Sequence, residues 1–407
     1  MNAYLLRKKI FTVLFLVFIF GYSMVNAWHG YGEWKNAVLE PSEENKVSEM
    51  IGRLDGSITE SMYERMKFIE IYSFLQVLLD KREINNFDII RDEDGYLHYA
   101  SFFREEPTKL KEYARRVKRM QDFVEERGTK VLFCVAPSKY MYGENNLRKG
   151  LQASNPDDIV NELLFHLNRY GVETLDYRKY IPNETMSLQE AFFRTDHHWT
   201  IPAAFEATKI LVETMEEKFG VRLDPKGYYL DDAQYERVVY PSCMLGSMGR
   251  RSGANFSKIE DYEALWPRFD ISYKREYENV GGIRGHKKGT AQEALMDAEI
   301  LTKGSNIYRD SVYSMYLNGV RPYEKIINMD NPDGCSLFAI RDSYFSPMMV
   351  FLAPMFGRME AMWSLEESGQ LDIETYVRNN EFDYIIVEIY PYNINEDAFR
   401  FFEEDER

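Results

Sequence analysis

Two adjacent histidines stand between an aspartate and a tryptophan in the segment TDHHW, residues 195–199. In an extended loop, residues two positions apart point the same way, so the carboxylate of Asp196 can accept a hydrogen bond from Nδ1 of His198. Nε2 of His198 is then free to act as a base, which is the orienter–base half of a catalytic triad. His197 is expected to point away. A capped turn with an exposed imidazole is the simpler interpretation, because an aspartate two residues before a histidine is common by chance.

The missing half of a triad is a nucleophile, and the segment LFAIRDSYFSP, residues 337–347, offers Ser343. Leu337 to Ile340 is predicted to be a strand, and Ser343 falls in the turn before a helix. Loops at the carboxyl ends of parallel strands carry function in open α/β folds, and N–H groups at a helix start can stabilise an oxyanion. The alternative is that Ser343 caps the helix. An Asp-x-His on one such loop and a serine on another together favour catalysis.

Metal binding is the rival interpretation of His197 and His198. Adjacent histidines rarely bind one ion together, and no further histidine or cysteine lies nearby in the sequence. The three cysteines show no zinc spacing. Cys134 lies in an apolar run and is expected in the core, whereas Cys243 and Cys335 are a conceivable but unsupported disulfide pair. No metal or cofactor is therefore predicted.

The elements that must hold these loops alternate between strand and helix. VLFCVA, residues 131–136, is a continuous apolar run typical of a strand buried on both faces, and an amphipathic helix with Thr108 as its expected N-cap precedes it. The TDHHW loop leads into a helix with Thr200 as N-cap and Gly220 past its end. The predicted fold class is α/β, a parallel sheet flanked by helices, with a β-rich or irregular insertion at about 221–332.

The N-terminus carries an export signal. Arg7, Lys8 and Lys9 precede an uncharged run, residues 10–25. A cleaved signal peptide and a retained anchor are both consistent with this length, and the chain from Trp28 onward faces the outside in either case. The expected division is signal or anchor at 1–27, a helical region at 28–85 and a catalytic domain at 86–407.

The chain is strongly acidic, with a formal net charge of −16. The first 27 residues contribute three positive charges and no negative ones, so the exported part carries −19. Such a surface disfavours nucleic acid and anionic lipid as partners.

Together, TDHHWT and RDSYFSP resemble the DHHW proteins, which belong with the alginate O-acetylation proteins of the SGNH-hydrolase-like superfamily. Three further segments are similar to pieces of that family: DEDGYLHY (92–99), VAPSKYMYGE (135–144) and LGSMGRR (245–251). The likeness covers about residues 86–394.

The resemblance implies a serine esterase or acetyltransferase. By position, Ser343 matches the nucleophile, His198 the base and Asp196 its orienter. His197 stands where the alginate proteins usually carry threonine, and this makes it the competing base. The backbone N–H of Ser343 is the expected oxyanion donor. Further candidates for oxyanion or substrate contact are Arg341, Ser247, Arg250, Lys139, Tyr142 and Tyr344.

The predicted function is extracytoplasmic O-acetyl transfer to, or acetyl-ester hydrolysis on, a cell-surface or exported polysaccharide. The resemblance further implies a membrane-bound O-acyltransferase (MBOAT) partner that supplies acetyl groups. The alternative is a non-catalytic polysaccharide-binding or scaffold protein. A distance between Ser343 Oγ and His198 beyond hydrogen-bond reach would favour that alternative.

Overall fold

A computed structural model describes most of the chain: residues 3–39, 47–100, 106–139, 146–151, 155–279, 282–302, 306–364 and 372–403. The chain divides into two compact units, Met1–Leu75 and Gln76–Arg407. The division lies ten residues ahead of the expected start of the catalytic domain at residue 86. Tyr142 lies outside the described residues.

The first unit is helical. It contains α1 (Ala3–Leu39), α2 (Val47–Glu60) and most of α3 (Arg65–Leu78). The part of α1 from Tyr4 to Leu39 has a window with mean hydropathy 2.1, which is apolar enough to cross a membrane. The helix therefore fits a signal sequence or an anchor, as the sequence indicates.

The second unit is built around one large sheet. The strands of the whole unit, in this sheet and outside it, are β1 (Glu83–Ile84), β2 (Ile89–Arg91), β3 (Leu97–Tyr99), β4 (Lys130–Val135), β5 (Glu173–Asp176), β6 (Tyr235–Met244), β7 (Glu260–Pro267), β8 (Tyr273–Glu278), β9 (Arg284–Gly289), β10 (Tyr323–Asn328), β11 (Ser336–Arg341), β12 (Arg358–Trp363) and β13 (Tyr384–Ile389). Its later helices are α4 (Pro107–Glu125), α5 (Asp157–Arg169), α6 (Leu188–Ala191), α7 (Ile201–Phe219), α8 (Ser247–Ser252), α9 (Ala254–Ser257), α10 (Glu299–Thr302), α11 (Phe345–Leu352) and α12 (Ile373–Asn379).

The large sheet has eight strands in the order β5-β4-β13-β11-β12-β10-β8-β9. The first five are parallel to one another, and β10, β8 and β9 continue the sheet antiparallel. Alternate residues of the central strands enter different cores: Cys134 packs in the core under α7 and α11, and Phe133 packs under α4 and α5. The apolar run of β4 is thus buried on both faces, and the predicted α/β class is confirmed.

The helix ends mostly follow their capping residues. Thr200 caps α7 by accepting from Ala203 N at 3.4 Å, and Gly220 ends it in the left-handed region with φ 70°. The prediction for α4 was wrong by two residues. Its N-cap is Glu106 rather than Thr108, because Pro107 fits the first helical position, where no N–H is needed.

The insertion at 221–332 is β-rich and more regular than expected. Strands β6 and β7 pair with each other in a separate two-stranded sheet. Strands β8, β9 and β10 extend the main sheet instead. The insertion is therefore partly continuous with the fold that carries the predicted site.

Candidate active site

Three side chains from two loops form one hydrogen-bonded line. Nδ1 of His198 lies 2.6 Å from Oδ1 of Asp196, and Nε2 of the same ring lies 2.6 Å from Oγ of Ser343. Ser343 follows β11 at the carboxyl end of the parallel strands, and the other two residues lie on the loop before α7. The fold thus brings together residues 145 positions apart, with the spacing expected of nucleophile, base and orienter.

Asp196 is held from several sides in a buried position. Its Oδ2 accepts from the backbone N–H of Ser247 at 2.6 Å, and its Oδ1 accepts from the N–H of His198 at 3.1 Å. A Cβ on Gly246 would stand 2.4 Å from the Cβ of Asp196, so the glycine allows this close approach. Burial opposes ionisation, but the imidazoles of His198 and His197, together with these bonds, hold the pKa of Asp196 well below its usual range.

The backbone just before Asp196 is held by two ionisable side chains, the half-buried Glu260 and the buried Lys139. Glu260, at the start of β7, accepts from the N–H groups of Arg194 and Thr195 at 2.8 and 2.7 Å. Lys139, in the loop after β4, donates to the carbonyls of Phe193 and Arg194 at 3.0 and 3.3 Å. Burial raises the pKa of Glu260 and lowers that of Lys139 to about 8. Lys139 therefore contacts the loop that carries the imidazole.

The Ser343 hydroxyl hydrogen-bonds to the His198 imidazole and does not cap helix α11. Helix α11 has Tyr344 at its N-cap position and no side-chain cap, so the simple capping role for Ser343 is wrong. The turn is fixed instead by Asp342, which accepts from the N–H groups of Tyr344 and Tyr390 at 3.0 and 2.6 Å. Asn393 donates to the same carboxylate at 2.9 Å. The turn that carries Ser343 is thus tied to the end of β13.

Two aromatic residues join the loops across the site. Nε1 of Trp199 donates to the carbonyl of Tyr344 at 3.2 Å, and the Tyr344 hydroxyl donates to the carbonyl of His197. The Tyr344 side chain is fully buried, so it forms the wall of the site instead of a group open to substrate.

Tyr313 is a site residue that the sequence did not reveal. Its ring stacks on His198 with centroids 3.9 Å apart and an interplanar angle of 16°. Its hydroxyl donates to the carbonyl of Ser343 at 3.3 Å. Tyr313 comes from the insertion, in a short 3-10 turn (Val312–Met315) without a motif, so no local pattern could have indicated it.

His197 faces a different partner from His198. Its Nδ1 lies 3.1 Å from Oγ of Ser247 and 3.2 Å from Oδ1 of Asp196. Burial and the adjacent His198 lower the pKa of His197 to about 3, so this ring is neutral near pH 7. Tyr99 packs near it, with ring centroids 5.9 Å apart, and was also missed. His197 therefore borders the site without the contact to Ser343 that the base needs.

The metal interpretation retains a geometric basis. Ligand atoms of Asp196, His197 and His198 all lie within 4.8 Å of one another. Both ring nitrogens of His198 already have hydrogen-bond partners, however. An ion would have to displace one of them.

The two arginine candidates, Arg341 and Arg250, differ in burial and in partners. Arg341 is fully buried, and its guanidinium pairs with Glu324 at 3.0 Å and donates to Ser346 Oγ at 2.7 Å. It is an interior ion-pair residue, and its expected substrate contact is withdrawn. Arg250 donates to the carbonyl of Arg309 at 3.4 Å.

Comparison with known families finds a match for part of the chain. Residues 89–239 match the model of the SGNH hydrolase-like domain of the acetyltransferase AlgX. This stretch of the chain is therefore similar to an SGNH-hydrolase-like domain. The matched stretch includes Asp196 and His198 and ends before Ser343. The resemblance predicted from the motifs is thereby confirmed. A separate search of curated protein sequences finds no match.

Solved structures agree on the SGNH-hydrolase-like fold. PatB1 from Bacillus cereus superimposes with a TM-score of 0.60 at 18% identity, over 77% of this chain and 97% of that one. A DHHW family protein from Eubacterium siraeum DSM 15702 gives a TM-score of 0.53 at 18% identity, over 76% of this chain and 92% of that one. At such identities the likeness concerns the fold alone.

Proposed function

We propose that this protein is an extracytoplasmic serine-dependent O-acetyltransferase or acetylesterase that acts on a cell-surface or exported polysaccharide. The observation that carries the proposal is the unbroken line from Asp196 through His198 to Ser343, with both hydrogen bonds at 2.6 Å. The match to an acetyltransferase domain supports the acyl group chosen.

The chemistry follows from the partners of each atom. His198 Nε2 takes the proton of Ser343, and Oγ attacks the carbonyl carbon of an acetyl ester. The tetrahedral intermediate collapses when His198 returns that proton to the leaving alcohol, which leaves acetyl on Oγ. An acceptor hydroxyl, from a sugar or from water, then loses its proton to His198 and attacks the acetyl carbon. The bond between that carbon and Oγ breaks as His198 returns the proton to Ser343. Ionised Asp196 stabilises the imidazolium in both halves.

The negative charge on the carbonyl oxygen needs a donor. We assign the backbone N–H of Ser343 to this role, since it lies beside the attacking oxygen at the start of α11. The backbone N–H of Ser247 is already used by Asp196, so this donor is not available for an oxyanion. The Ser247 hydroxyl and Arg250 stay candidates for contact with the acceptor.

The location and the partner are proposed on sequence grounds. The apolar helix α1 and the basic residues before it favour export with the catalytic unit outside the membrane. A membrane-bound O-acyltransferase is the proposed donor of acetyl groups, as the family resemblance implies. The family resemblance is also the reason that we propose acetyl transfer to a sugar hydroxyl in preference to hydrolysis of the acetyl ester.

The competing function, a polysaccharide-binding scaffold, predicts no turnover. The short distance between Ser343 Oγ and His198 Nε2 favours the enzyme. Hydrolysis of a chromogenic acetyl ester tests it directly. Ser343→Ala is expected to lose at least about a thousandfold in kcat. Ser336→Ala, at the opposite end of β11, is the matched control and keeps wild-type activity. Equal activity in Ser343→Ala and wild type would exclude the nucleophile.

A further inference from the structure

Helix α3 buries two polar residues and, from Phe68 onward, exposes mainly apolar side chains. The two buried residues of this helix are Ser73, fully buried, and Gln76, 8% exposed. The exposed large side chains are apolar or aromatic: Phe68, Ile71, Tyr72, Phe74, Leu75, Val77 and Leu78, followed by Leu79 just past the helix end. Amphipathic helices of water-soluble domains show the reverse arrangement.

Helix α4 of the same chain shows the ordinary arrangement. Its apolar residues at helical spacing, among them Tyr113, Val117 and Val124, are buried, and Lys111 and Arg115 face solvent. The inversion is therefore a property of α3. Contiguous exposed apolar patches mark binding surfaces, because contact between apolar side chains and water is unfavourable.

The apolar surface of α3 is wide. At 3.6 residues per turn, the exposed apolar positions span an arc of about 220° around the axis. A helix that docks in a protein groove usually presents a stripe nearer 100°. Between Phe68 and Leu79 the only charged residue is Glu70. An apolar stretch of this length is typical of an interfacial or re-entrant membrane segment.

Contacts with α1 give the position of α3 relative to a membrane. Tyr22 donates its hydroxyl to the carbonyl of Tyr63 at 2.7 Å, and the Tyr63 N–H donates to Oδ1 of Asn26 at 2.7 Å. The ring of Phe68 meets that of Tyr22 edge-on, with centroids 5.4 Å apart. Tyr22 and Asn26 lie at the outer end of the uncharged run 10–25. Helix α3 thus starts where that run ends.

We infer that α3 lies in the outer interface of the membrane that α1 spans, with lipid covering its apolar arc. Basic residues flank the stretch, Arg65 and Lys67 before it and Lys81 and Arg82 after it, and these can reach the headgroups. The inference rests on the retained-anchor part of the proposed function and is independent of the serine chemistry. It also requires that the signal is not removed at Ala27.

Depth measurement on the full chain in phosphatidylcholine vesicles tests the inference. Single cysteines at Ile71 and Phe74 are labelled with the fluorophore NBD, in a background with Cys243→Ser and Cys335→Ser. Leu14→Cys in α1 reports the anchor, and Lys111→Cys in α4 is the water-exposed control. Circular dichroism checks that each variant is folded. Quenching by acyl-chain nitroxides is compared with quenching by aqueous iodide.

We expect the Ile71 and Phe74 probes to be quenched several-fold more by acyl-chain nitroxides than the Lys111 probe. Iodide-accessible probes on α3, with a lipid-quenched Leu14 probe, would overturn the inference. So would blue-shifted emission without nitroxide quenching, because α3 would then be covered by protein. A Leu14 probe that escapes lipid quenching would refute the anchor and this inference, and would leave the acetyl-ester assay unaffected.

Discussion

At the residue scale, the two adjacent histidines make the sharpest contrast. His198 contacts both Asp196 and Ser343, whereas His197 hydrogen-bonds to Ser247 and lies near Asp196. We expect His198→Ala to lower kcat for acetyl-ester hydrolysis by about a thousandfold or more, and His197→Ala by about tenfold or less. Steady-state kinetics of the two variants measure the difference. Equal losses would show that His197 shares the role of base.

The carboxylate of Asp196 gives a prediction about acid stability. Its pKa in the folded protein lies well below the ordinary value of 3.8, so the unfolded chain binds the proton first as pH falls. The stability that ionised Asp196 contributes is therefore complete above pH 3.8 and is lost as pH falls through the folded-state pKa. We expect Asp196→Asn to be less stable than wild type at pH 7, with the difference shrinking below about pH 4.

Chemical denaturation at several pH values measures that difference. A gap between wild type and Asp196→Asn that stays constant down to pH 2 would contradict the assigned direction of the shift. Activity of the variant gives a second reading, because loss of turnover in a folded Asp196→Asn protein supports the orienting role.

At the scale of elements, the loop before α7 depends on Lys139 and Glu260. Lys139 binds backbone carbonyls of residues 193–195, and Glu260 binds backbone N–H groups of the same stretch. We expect Lys139→Met to lower kcat by about ten- to a hundredfold with little change in KM, because a small displacement of the base is costly. Lys130→Met, at the exposed start of β4, is the matched control.

The pH profile separates positioning by Lys139 from a purely structural role. Because burial lowers the pKa of Lys139 to about 8, its charge and its grip on the loop weaken above that pH. The alkaline fall in kcat is expected to move upward in Lys139→Arg, whose charge persists. An unchanged profile in that variant would mean that Lys139 only supports the fold.

Sequence patterns predicted the elements whose burial or ends leave a regular pattern along the chain. Strands β4, β11 and β13 could be predicted because burial on both faces requires continuous apolar runs. The loops with Asp196 and Ser343 could be located because capping and turn residues mark helix starts. The prediction that these two loops meet, 145 positions apart, rested on the family resemblance and on the presence of both motifs in one chain. No local sequence pattern encodes the distance between two loops.

Other features were beyond local patterns for the same reason. The contact of Tyr313 with His198 depends on how the insertion folds back, and one tyrosine among 29 carries no signal for it. Arg341 looked like a substrate ligand because it precedes the catalytic turn. Its burial against Glu324 depends on strand β10, which lies two positions away in the sheet.

At the scale of the whole molecule, buried charges link the insertion to the catalytic sheet. Glu324 on β10 pairs with Arg275 on β8 and with Arg341 at the end of β11, and all three side chains are at most 1% exposed. We expect Glu324→Gln to cost about 3–5 kcal/mol in the free energy of unfolding, since it leaves buried cations unpaired. Glu276→Gln removes a partly exposed pair with Lys274 and should cost about 0–1 kcal/mol.

Urea unfolding of both variants checks that comparison. Similar small losses in the two would mean that the insertion is only loosely joined to the sheet. A large loss confined to Glu324→Gln would show that the strands of the insertion are part of the scaffold that holds Ser343.

A nucleophilic Ser343 that is activated by His198 can be trapped covalently. A sulfonyl fluoride is a suitable reagent, because an activated serine hydroxyl displaces its fluoride and forms a stable sulfonyl ester. We predict a single adduct on Ser343 by peptide mass spectrometry, strongly reduced in His198→Ala and absent in Ser343→Ala. Acetyl-ester turnover that persists while Ser343 stays unmodified, or an adduct on another residue, would contradict the account.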